Sequence, residues 1–276
     1  MAPKKFIISG GGTGGHIFPA IAIANALRNK HPQSEFLFIG AKGRMEMEKV
    51  PESGYRIEGL WISGLQRKLT LKNLSFPFKL ISSIARAKRL IREFKPHLVA
   101  GVGGYSSGPV VYAASSMHIP TLIQEQNSYP GITNKLLKNR VDKICVAFDG
   151  MERFFPAEKI VLTGNPVRAE VIDIKGKEDE AAKHFNISKD RKTLLVLGGS
   201  LGAGTINRSI SLGLEKFTDK GIQLIWQTGR SGREDAETAV AQLASTGIVV
   251  REFINHMHLA YAAADLVIAR AGAITV

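Results

Sequence analysis

The stretch that decides the fold reads Lys5-Phe6-Ile7-Ile8-Ser9-Gly10-Gly11-Gly12-Thr13-Gly14-Gly15-His16-Ile17. An apolar run typical of a buried strand passes directly into glycines, and the glycines pass into residues that begin a helical pattern. Two later segments repeat this order, at residues 101–108 (GVGGYSSG) and 198–203 (GGSLGA). The sequence therefore predicts three strand–loop–helix units with a glycine loop in each.

These glycine loops favour phosphate binding. Glycine adopts positive φ readily and places no Cβ between the backbone amides and an anion. The helix that follows adds partial positive charge at its N-terminus. For one such loop, a tight turn between strand and helix is the simpler interpretation. Three of them in one chain predict phosphate binding.

The kind of phosphate ligand is narrowed by what surrounds the loops. Gly10, Gly12 and Gly15 fit the pattern G-x-G-x-x-G, so a nicotinamide dehydrogenase is an alternative. That fingerprint needs an acid at the end of the second strand, whereas Gly40-Ala41-Lys42 follows Ile39. The chain also has no Asp-x-Asp metal signature. Amide dipoles and basic side chains are therefore expected to hold a diphosphate, with no metal ion and no cofactor.

The order of elements predicts two domains. In the first half, strands are expected near residues 4–9, 36–39, 97–102, 121–124, 143–147 and 160–162, with helices near 17–29, 82–94, 108–117 and 132–138. The pattern breaks at Gly164-Asn165-Pro166 and restarts with a helix near 178–185 and strands near 193–197, 223–227, 248–253 and 266–268. Alternating strands and helices predict an α/β fold with doubly wound parallel sheets. We expect two Rossmann-like domains, residues 1–165 and 166–276, with a ligand cleft between them.

Composition limits the class of protein. No apolar run reaches the roughly 18 residues of a membrane-spanning helix. Cys145 is the single cysteine, which excludes an intrachain disulfide and fits a reducing cytoplasm. The formal net charge is +13, from 37 Lys and Arg against 24 Asp and Glu. This charge predicts an acidic partner: nucleic acid, an anionic membrane or a phosphorylated substrate.

Several motifs together resemble the MurG family of glycosyltransferases, which has the GT-B fold. They are GGTGGH at 11–16, GGYSSGP at 103–109, EQN at 125–127, GNPVR at 164–168, GGSLGA at 198–203, EFI at 252–254 and RAGAITV at 270–276. The resemblance implies inverting transfer of N-acetylglucosamine from UDP-N-acetylglucosamine to lipid I, the undecaprenyl-diphosphate-linked N-acetylmuramoyl-pentapeptide, giving lipid II in peptidoglycan synthesis. It also implies that the second domain, which binds the donor, is incomplete at Val276.

The same resemblance implies the site residues. Gly104 and Tyr105 are expected to contact the acceptor diphosphate. Ile254 is expected to hold uracil through its backbone, with Arg168 beside the same nucleotide. The residues expected to bind the donor are Thr13, Gly14, Gly15, Asn127, Arg168, Ser200, Ile254, Ala273, Ile274, Thr275 and Val276.

The catalytic base has two candidates. An inverting transfer needs a base that takes the proton of the attacking hydroxyl. His16 lies at the mouth of the first glycine loop, and histidine titrates near neutral pH. It is equally well a helix cap. Glu125 ends a predicted strand, and its alternative is a carboxylate hydrogen-bonded inside a loop. Trp61 and Trp226 are expected in the core.

A basic stretch at residues 67–95 carries nine basic residues and one acid, Glu93. Apolar residues alternate with these charges. A helix with a core face and a solvated basic face explains part of the pattern, but an apolar patch ringed by cations is typical of an anionic membrane surface. No nucleic-acid-binding motif accompanies the charge, so nucleic acid is not expected as a partner. We expect a peripheral protein on the cytoplasmic face of the bacterial inner membrane, whose membrane contacts are Phe76, Phe78, Leu80, Ile81, Lys72 and Lys79.

Overall fold

The computed structural model describes residues 3–64, 75–167, 174–199, 202–243 and 247–272. The chain divides into two compact units, residues 1–168 and 169–276. They are called the first unit and the second unit below.

The first unit is a seven-stranded sheet with helices on both faces. All strand pairs are parallel, in the order β3-β2-β1-β4-β5-β6-β7. The elements are β1 (Lys5–Ser9), α1 (Gly14–Lys30), β2 (Glu35–Ala41), α2 (Glu46–Glu52), β3 (Arg56–Leu60), α3 (Phe76–Phe94), β4 (Leu98–Gly101), α4 (Ser107–Ser115), β5 (Thr121–Glu125), α5 (Ile132–Leu137), β6 (Lys143–Val146) and β7 (Ile160–Leu162).

Two apolar layers explain why this sheet is central. One core cluster joins Ile7, Val99 and Ile123 to α3, α4 and α5, and a second joins Ile8 and Ala100 to α1 and α2. Strands buried on both faces read as continuous apolar runs, as β1 does. The chain runs outward from β1 to β3 on one side and from β4 to β7 on the other. The order therefore reverses between β1 and β4, and in such sheets ligands bind where it reverses.

The second unit repeats the plan with four parallel strands, ordered β10-β9-β8-β11. Here the reversal lies between β8 and β11. The elements are α6 (Glu178–Phe185), β8 (Thr193–Leu197), α7 (Gly204–Asp219), β9 (Gln223–Gln227), α8 (Arg233–Ala241), β10 (Ile248–Arg251), α9 (Met257–Ala263) and β11 (Leu266–Ala269).

The predicted strands and helices are confirmed within a few residues at their ends, with three exceptions. The sequence analysis missed α2 and β3, and it began α3 at residue 82 instead of Phe76. Pro77 stands in the first turn of α3, where a proline costs no hydrogen bond. The core position expected for Trp226 is confirmed, but that for Trp61 is wrong, because Trp61 is 55% exposed. In the described ranges no helix is both long and apolar enough to cross a membrane.

Candidate functional site

Two glycine loops meet at the switch point of the first unit. One follows β1 and the other follows β4, and these strands are neighbours in the sheet. The loops touch through their backbones: a Cβ on Gly104 would lie 2.2 Å from the carbonyl oxygen of Gly11. Gly104 also has φ of +84°, which favours glycine. Glycine at this position therefore allows the two loops to pack against each other.

Both loops lead into helix N-termini that suit an anion. Thr13 precedes α1 and makes no side-chain cap, and the first turns of α1 and α4 contain no acidic residue. The amides that begin a helix have no carbonyl of the same helix to donate to, so those of Gly14 and Gly15 can donate to a phosphate, whereas His16 N already donates to Thr13 O at 3.1 Å. Thr13, Gly15 and Tyr105 are exposed at this edge. The structure thus brings the predicted residues Thr13, Gly14, Gly15, His16, Gly104 and Tyr105 to one pair of loops.

A buried carboxylate supports the first loop, and the sequence analysis missed it. Glu46 is fully buried at the start of α2. Its Oε2 accepts a hydrogen bond from Gly12 N at 2.9 Å, and its Oε1 accepts one from Ala41 N at 3.0 Å. A Cβ on Gly11 would overlap this carboxylate. Glu46 therefore links the glycine loop to the end of β2. Because the Gly12 amide already donates to Glu46, it is not available to an anion.

His16, in the first turn of α1, is held by Gln126, the residue that follows β5. Its Nδ1 lies 3.1 Å from Gln126 Oε1. The ring also packs on the second loop, since a Cβ on Gly103 would lie 2.7 Å from His16 Cε1 and Nδ1. His16 is half-buried, whereas Gln126 is buried. The imidazole is thus held between the two loops.

The other base candidate, Glu125, is occupied by the protein itself. Its Oε1 accepts from the backbone N (3.1 Å) and the Nδ2 (2.9 Å) of Asn127. Its Oε2 accepts from Gly131 N (3.0 Å) and from Asn134 Nδ2 (2.8 Å). Four donors satisfy the buried carboxylate and hold the segment between β5 and the first turn of α5 in place. This geometry favours a structural role for Glu125 and places Asn127 on the exposed side of that loop.

The second unit carries its own loop at the end of β8. Gly202 has φ of +87°, and a Cβ there would lie 2.7 Å from Thr228 O. Asn207 in α7 donates from Nδ2 to the same Thr228 oxygen at 2.8 Å and accepts from Trp226 Nε1 at 3.1 Å. No acid stands in the first turn of α7. This loop, like those of the first unit, leads into a helix N-terminus that can receive a phosphate.

Ile254 lies next to the end of β9. It is buried, and its backbone N donates to Gln227 Oε1 at 2.9 Å. The carbonyl oxygen is therefore the backbone group through which Ile254 could contact a base such as uracil. Six of the predicted donor residues lie outside the described residues: Arg168, Ser200, Ala273, Ile274, Thr275 and Val276.

The four apolar residues expected to contact a membrane do not all face solvent. Phe78 is 70% exposed and Ile81 is 66% exposed, but Phe76 and Leu80 are only partly exposed and pack against the core of the sheet. Phe76 and Leu80 lie on the side of α3 that packs toward the sheet, so Phe78 and Ile81 are the two of the four that face solvent, and the membrane role of all four stays a prediction. Lys72 lies outside the described residues.

Trp61 joins the exposed part of α3. Lys79 Nζ lies 5.6 Å from the centre of the Trp61 ring and donates to Ser63 Oγ at 3.2 Å. Ser83 Oγ also donates to Trp61 O at 3.2 Å. We call Trp61, Phe78, Lys79 and Ile81 the α3 surface. It combines three exposed apolar side chains with a cation.

Comparison with known proteins places the chain in a family. A family model described as "Glycosyltransferase family 28 N-terminal domain" matches residues 6–146. A second, described as "Glycosyltransferase family 28 C-terminal domain", matches residues 193–276. A relative from Cytophaga hutchinsonii is 54% identical over 274 residues, which is 99% of this chain and 73% of the relative. One from Christiangramia forsetii is 52% identical over 269 residues, 98% and 72% of the two chains. Both are named UDP-N-acetylglucosamine--N-acetylmuramyl-(pentapeptide) pyrophosphoryl-undecaprenol N-acetylglucosamine transferase.

Solved structures agree. The crystal structure of Acinetobacter baumannii MurG is 32% identical, covers 99% of this chain and 74% of its own, and has a TM-score of 0.68. A UDP-GlcNAc 2-epimerase from Neisseria meningitidis, bound to UDP-GlcNAc, has a TM-score of 0.65 at 15% identity over 98% of this chain and 78% of its own, a likeness of fold alone. The predicted GT-B fold class and the resemblance to the MurG family are confirmed. The chain belongs to glycosyltransferase family 28.

Proposed function

We propose that the chain transfers N-acetylglucosamine from UDP-N-acetylglucosamine to lipid I, giving lipid II and UDP in peptidoglycan synthesis. The observation that carries this proposal is the 54% identity, over 274 residues, to a relative named for this transfer. The loops at both switch points support it, because each unit offers helix N-terminal amides to a phosphate. Both substrates contain a diphosphate, so two such sites suit a donor and an acceptor.

We assign the acceptor to the first unit and the donor to the second. In the first unit, Gly104 and Tyr105 would contact the acceptor diphosphate, and Thr13, Gly14, Gly15 and Asn127 would face the donor sugar. In the second unit, the loop at 198–203 would bind the donor diphosphate, and the carbonyl of Ile254 would accept from uracil. Arg168, Ser200 and residues 273–276 complete the donor set by resemblance. These residue roles are predictions, and so is the division into domains at residues 1–165 and 166–276.

The chemistry requires one proton transfer. The hydroxyl oxygen of the acceptor sugar attacks the anomeric carbon, the bond from that carbon to the UDP oxygen breaks, and a base takes the hydroxyl proton. We assign His16 as this base, because its ring is held between the two loops, while Glu125 is already hydrogen-bonded by four donors from the loop after β5 and from α5. The charge that develops on UDP would be stabilised by helix N-terminal amides in the second unit.

A transfer assay tests the proposal directly. The chain is supplied with labelled UDP-N-acetylglucosamine and a lipid I analogue, with and without EDTA. We expect labelled lipid product and UDP in both conditions, and a loss of about 10²–10⁴-fold in His16→Ala. Product formed only from another sugar nucleotide would indicate a different family 28 transferase. Calorimetric binding of the donor without turnover would indicate a binding protein.

We propose further that the α3 surface docks the chain on the cytoplasmic face of the inner membrane. Lipid I cannot leave the bilayer, so the transferase must approach it. Trp61, Phe78 and Ile81 would bury apolar area at the headgroup boundary, which is favourable by about 25 cal/mol per Å². Lys79 and the other basic residues of α3 would be attracted to lipid phosphate. Arg86 pairs with Glu58 and Arg89 with Glu93, so part of the basic charge is already compensated.

Vesicle cosedimentation tests this docking. Phe78→Ser/Ile81→Ser should bind anionic vesicles much less than the unaltered chain does. Ile132→Ser/Leu136→Ser, on α5, is the control, because these two side chains are also exposed apolar residues about one helical turn apart. Binding should weaken but persist as salt rises, since the Debye length falls to about 8 Å at physiological ionic strength. Equal loss in both variants, or equal binding to neutral vesicles, would refute the assignment. Lys72→Glu/Lys79→Glu tests the charge component.

A further inference from the structure

Gln126 makes contacts that determine how its side-chain amide is oriented. Its Nε2 lies 3.1 Å from the backbone oxygen of Val102 and also contacts the side-chain oxygen of Gln124. A backbone carbonyl can only accept a hydrogen bond, so the end of the amide beside Val102 must be the NH₂ group. The other end, Oε1, therefore faces His16 Nδ1 at 3.1 Å.

This orientation fixes the protonation of the histidine ring. An amide oxygen can only accept, so the hydrogen bond requires that His16 Nδ1 carry the proton. In the neutral ring, Nε2 then bears the lone pair. The choice is enforced by burial, because Gln126 is nearly inaccessible to solvent and a rotated amide would set its oxygen against the acceptor oxygens of Val102 and Gln124. The ring also lies against Gly103, where a Cβ would overlap it.

We propose that Gln126 is a positioning residue that holds neutral His16 in the Nδ1-protonated tautomer, with Nε2 ready to accept a proton. The inference rests on the proposed function in one respect, namely that the Nε2 lone pair takes the proton of the acceptor hydroxyl. The chain of contacts runs from the Val102 carbonyl through the Gln126 amide to the imidazole, and its first two members come from the ends of β4 and β5. The sheet that brings the glycine loops together thus also sets the tautomer.

Nitrogen NMR of histidine-labelled protein, at a pH where His16 is neutral, decides the tautomer. Protonated and unprotonated ring nitrogens give well-separated ¹⁵N signals, and the His16→Asn spectrum identifies the resonance among seven histidines. We expect protonated Nδ1 in the unaltered chain. Gln126→Leu should shift the population toward protonated Nε2. Gln126→Glu should keep protonated Nδ1, because a carboxylate oxygen also accepts.

Gln124→Leu is the matched control. Gln124 is equally buried and touches Gln126 but not the histidine, and Val102 O still holds the amide. Its His16 tautomer should stay unchanged. Protonated Nε2 in the unaltered chain, or the same tautomer in Gln126→Leu, would overturn the inference. Gln126→Glu keeps the inference testable if Gln126→Leu fails to fold, because loss of protonated Nδ1 there would also count against it.

Kinetics separate this inference from the proposed function. Gln126→Leu should lower kcat by between about 10-fold and 10⁴-fold, the upper figure being the loss seen when a catalytic histidine takes the wrong tautomer. KM for UDP-N-acetylglucosamine should change little, and Gln126→Glu should restore part of kcat. Adding Gln126→Leu to His16→Ala should cause no further loss, since residues acting as a unit are not additive. An inactive unaltered chain would count against the proposed function, and the NMR result would still decide the tautomer.

Discussion

The first and second units present the same local sequence pattern with different support behind it. In the first unit, a carboxylate from α2 and the backbone of a second glycine loop hold the loop at 10–16. In the second unit, the neutral side chain of Asn207 and the carbonyl of Thr228 lie behind the loop at 198–203. The comparison shows that the glycine loops share a local pattern typical of anion sites, whereas residues outside each loop determine which contacts hold it.

The largest effect is expected where two backbones touch. Gly104→Ala would add a Cβ 2.2 Å from Gly11 O at positive φ, so one of the two loops must move. A displacement of about 1 Å costs on the order of 10²-fold in rate. Gly202→Ala would add a Cβ 2.7 Å from Thr228 O and should cost less. Steady-state kinetics should show the first change mainly against the acceptor and the second against the donor.

Gly150→Ala is the control for the backbone conformation alone. Gly150 also has positive φ, at +72°, but a Cβ there would meet open space. It should cost about 1–2 kcal/mol of stability with near-normal turnover. If Gly104→Ala were as active as Gly150→Ala, close packing of the two loops would not matter for catalysis.

A smaller effect is expected from the carboxylate that distinguishes the first unit. In Glu46→Gln, one of the two amides, Gly12 N or Ala41 N, would lose its acceptor in a buried place. An unsatisfied buried donor costs about 1–3 kcal/mol. Urea unfolding of the first unit, monitored by hydrogen exchange of its amides, should show this loss in the free energy of unfolding. Glu48→Gln, an exposed position in the same helix, should be nearly neutral. Equal stability of the two variants would mean that Glu46 does not support the loop.

The smallest effect concerns a hydrogen bond that both units share, from the first backbone amide of a strand to an aspartate side chain. Asp142 accepts from Thr121 N at 2.8 Å at the start of β5, and Asp265 accepts from Thr193 N at 2.9 Å at the start of β8. The hydrogen bond from Lys192, together with that from Thr193 N, holds the pKa of Asp265 below its ordinary value of 3.8. Asp265→Asn keeps an oxygen acceptor and removes the charge. Because solvent screens the exposed pair, the loss should stay below about 1 kcal/mol.

The sign of the pH dependence follows from the lowered pKa. Folding favours the charged form of Asp265. The unaltered chain therefore has its full extra free energy of unfolding, relative to Asp265→Asn, above the ordinary aspartate pKa of 3.8. This advantage is lost as pH falls through the lower pKa of the folded state. Trp226 fluorescence in a Trp61→Phe background reports unfolding of the second unit, since the chain has two tryptophans. Asp190→Asn, at an exposed position, is the control. An advantage that grew on acidification would contradict this account.

Much of the fold could be predicted because its signals are local. The strands at 193–197 and 223–227 and the helix at 178–185 were predicted with their observed ends, since apolar runs and flanking turns mark them. The edge strand β3 was missed because Arg56-Ile57-Glu58-Gly59-Leu60 alternates polar and apolar residues only weakly. The short helix α2 was missed because Pro51 lies within it. Such elements are stabilised by packing more than by their own composition.

The sequence by itself determined the two parallel-sheet units, the glycine loops at their strand ends and the membership of the family, because these depend on residues adjacent in the chain or on ordered motifs. Only the tertiary structure decided that Glu46 lies beneath one loop, that Gln126 faces His16, and that Phe78 is exposed while Phe76 packs inward. These contacts join residues separated by up to 110 positions. Strand order in the sheet brings them together, and no local pattern encodes that order.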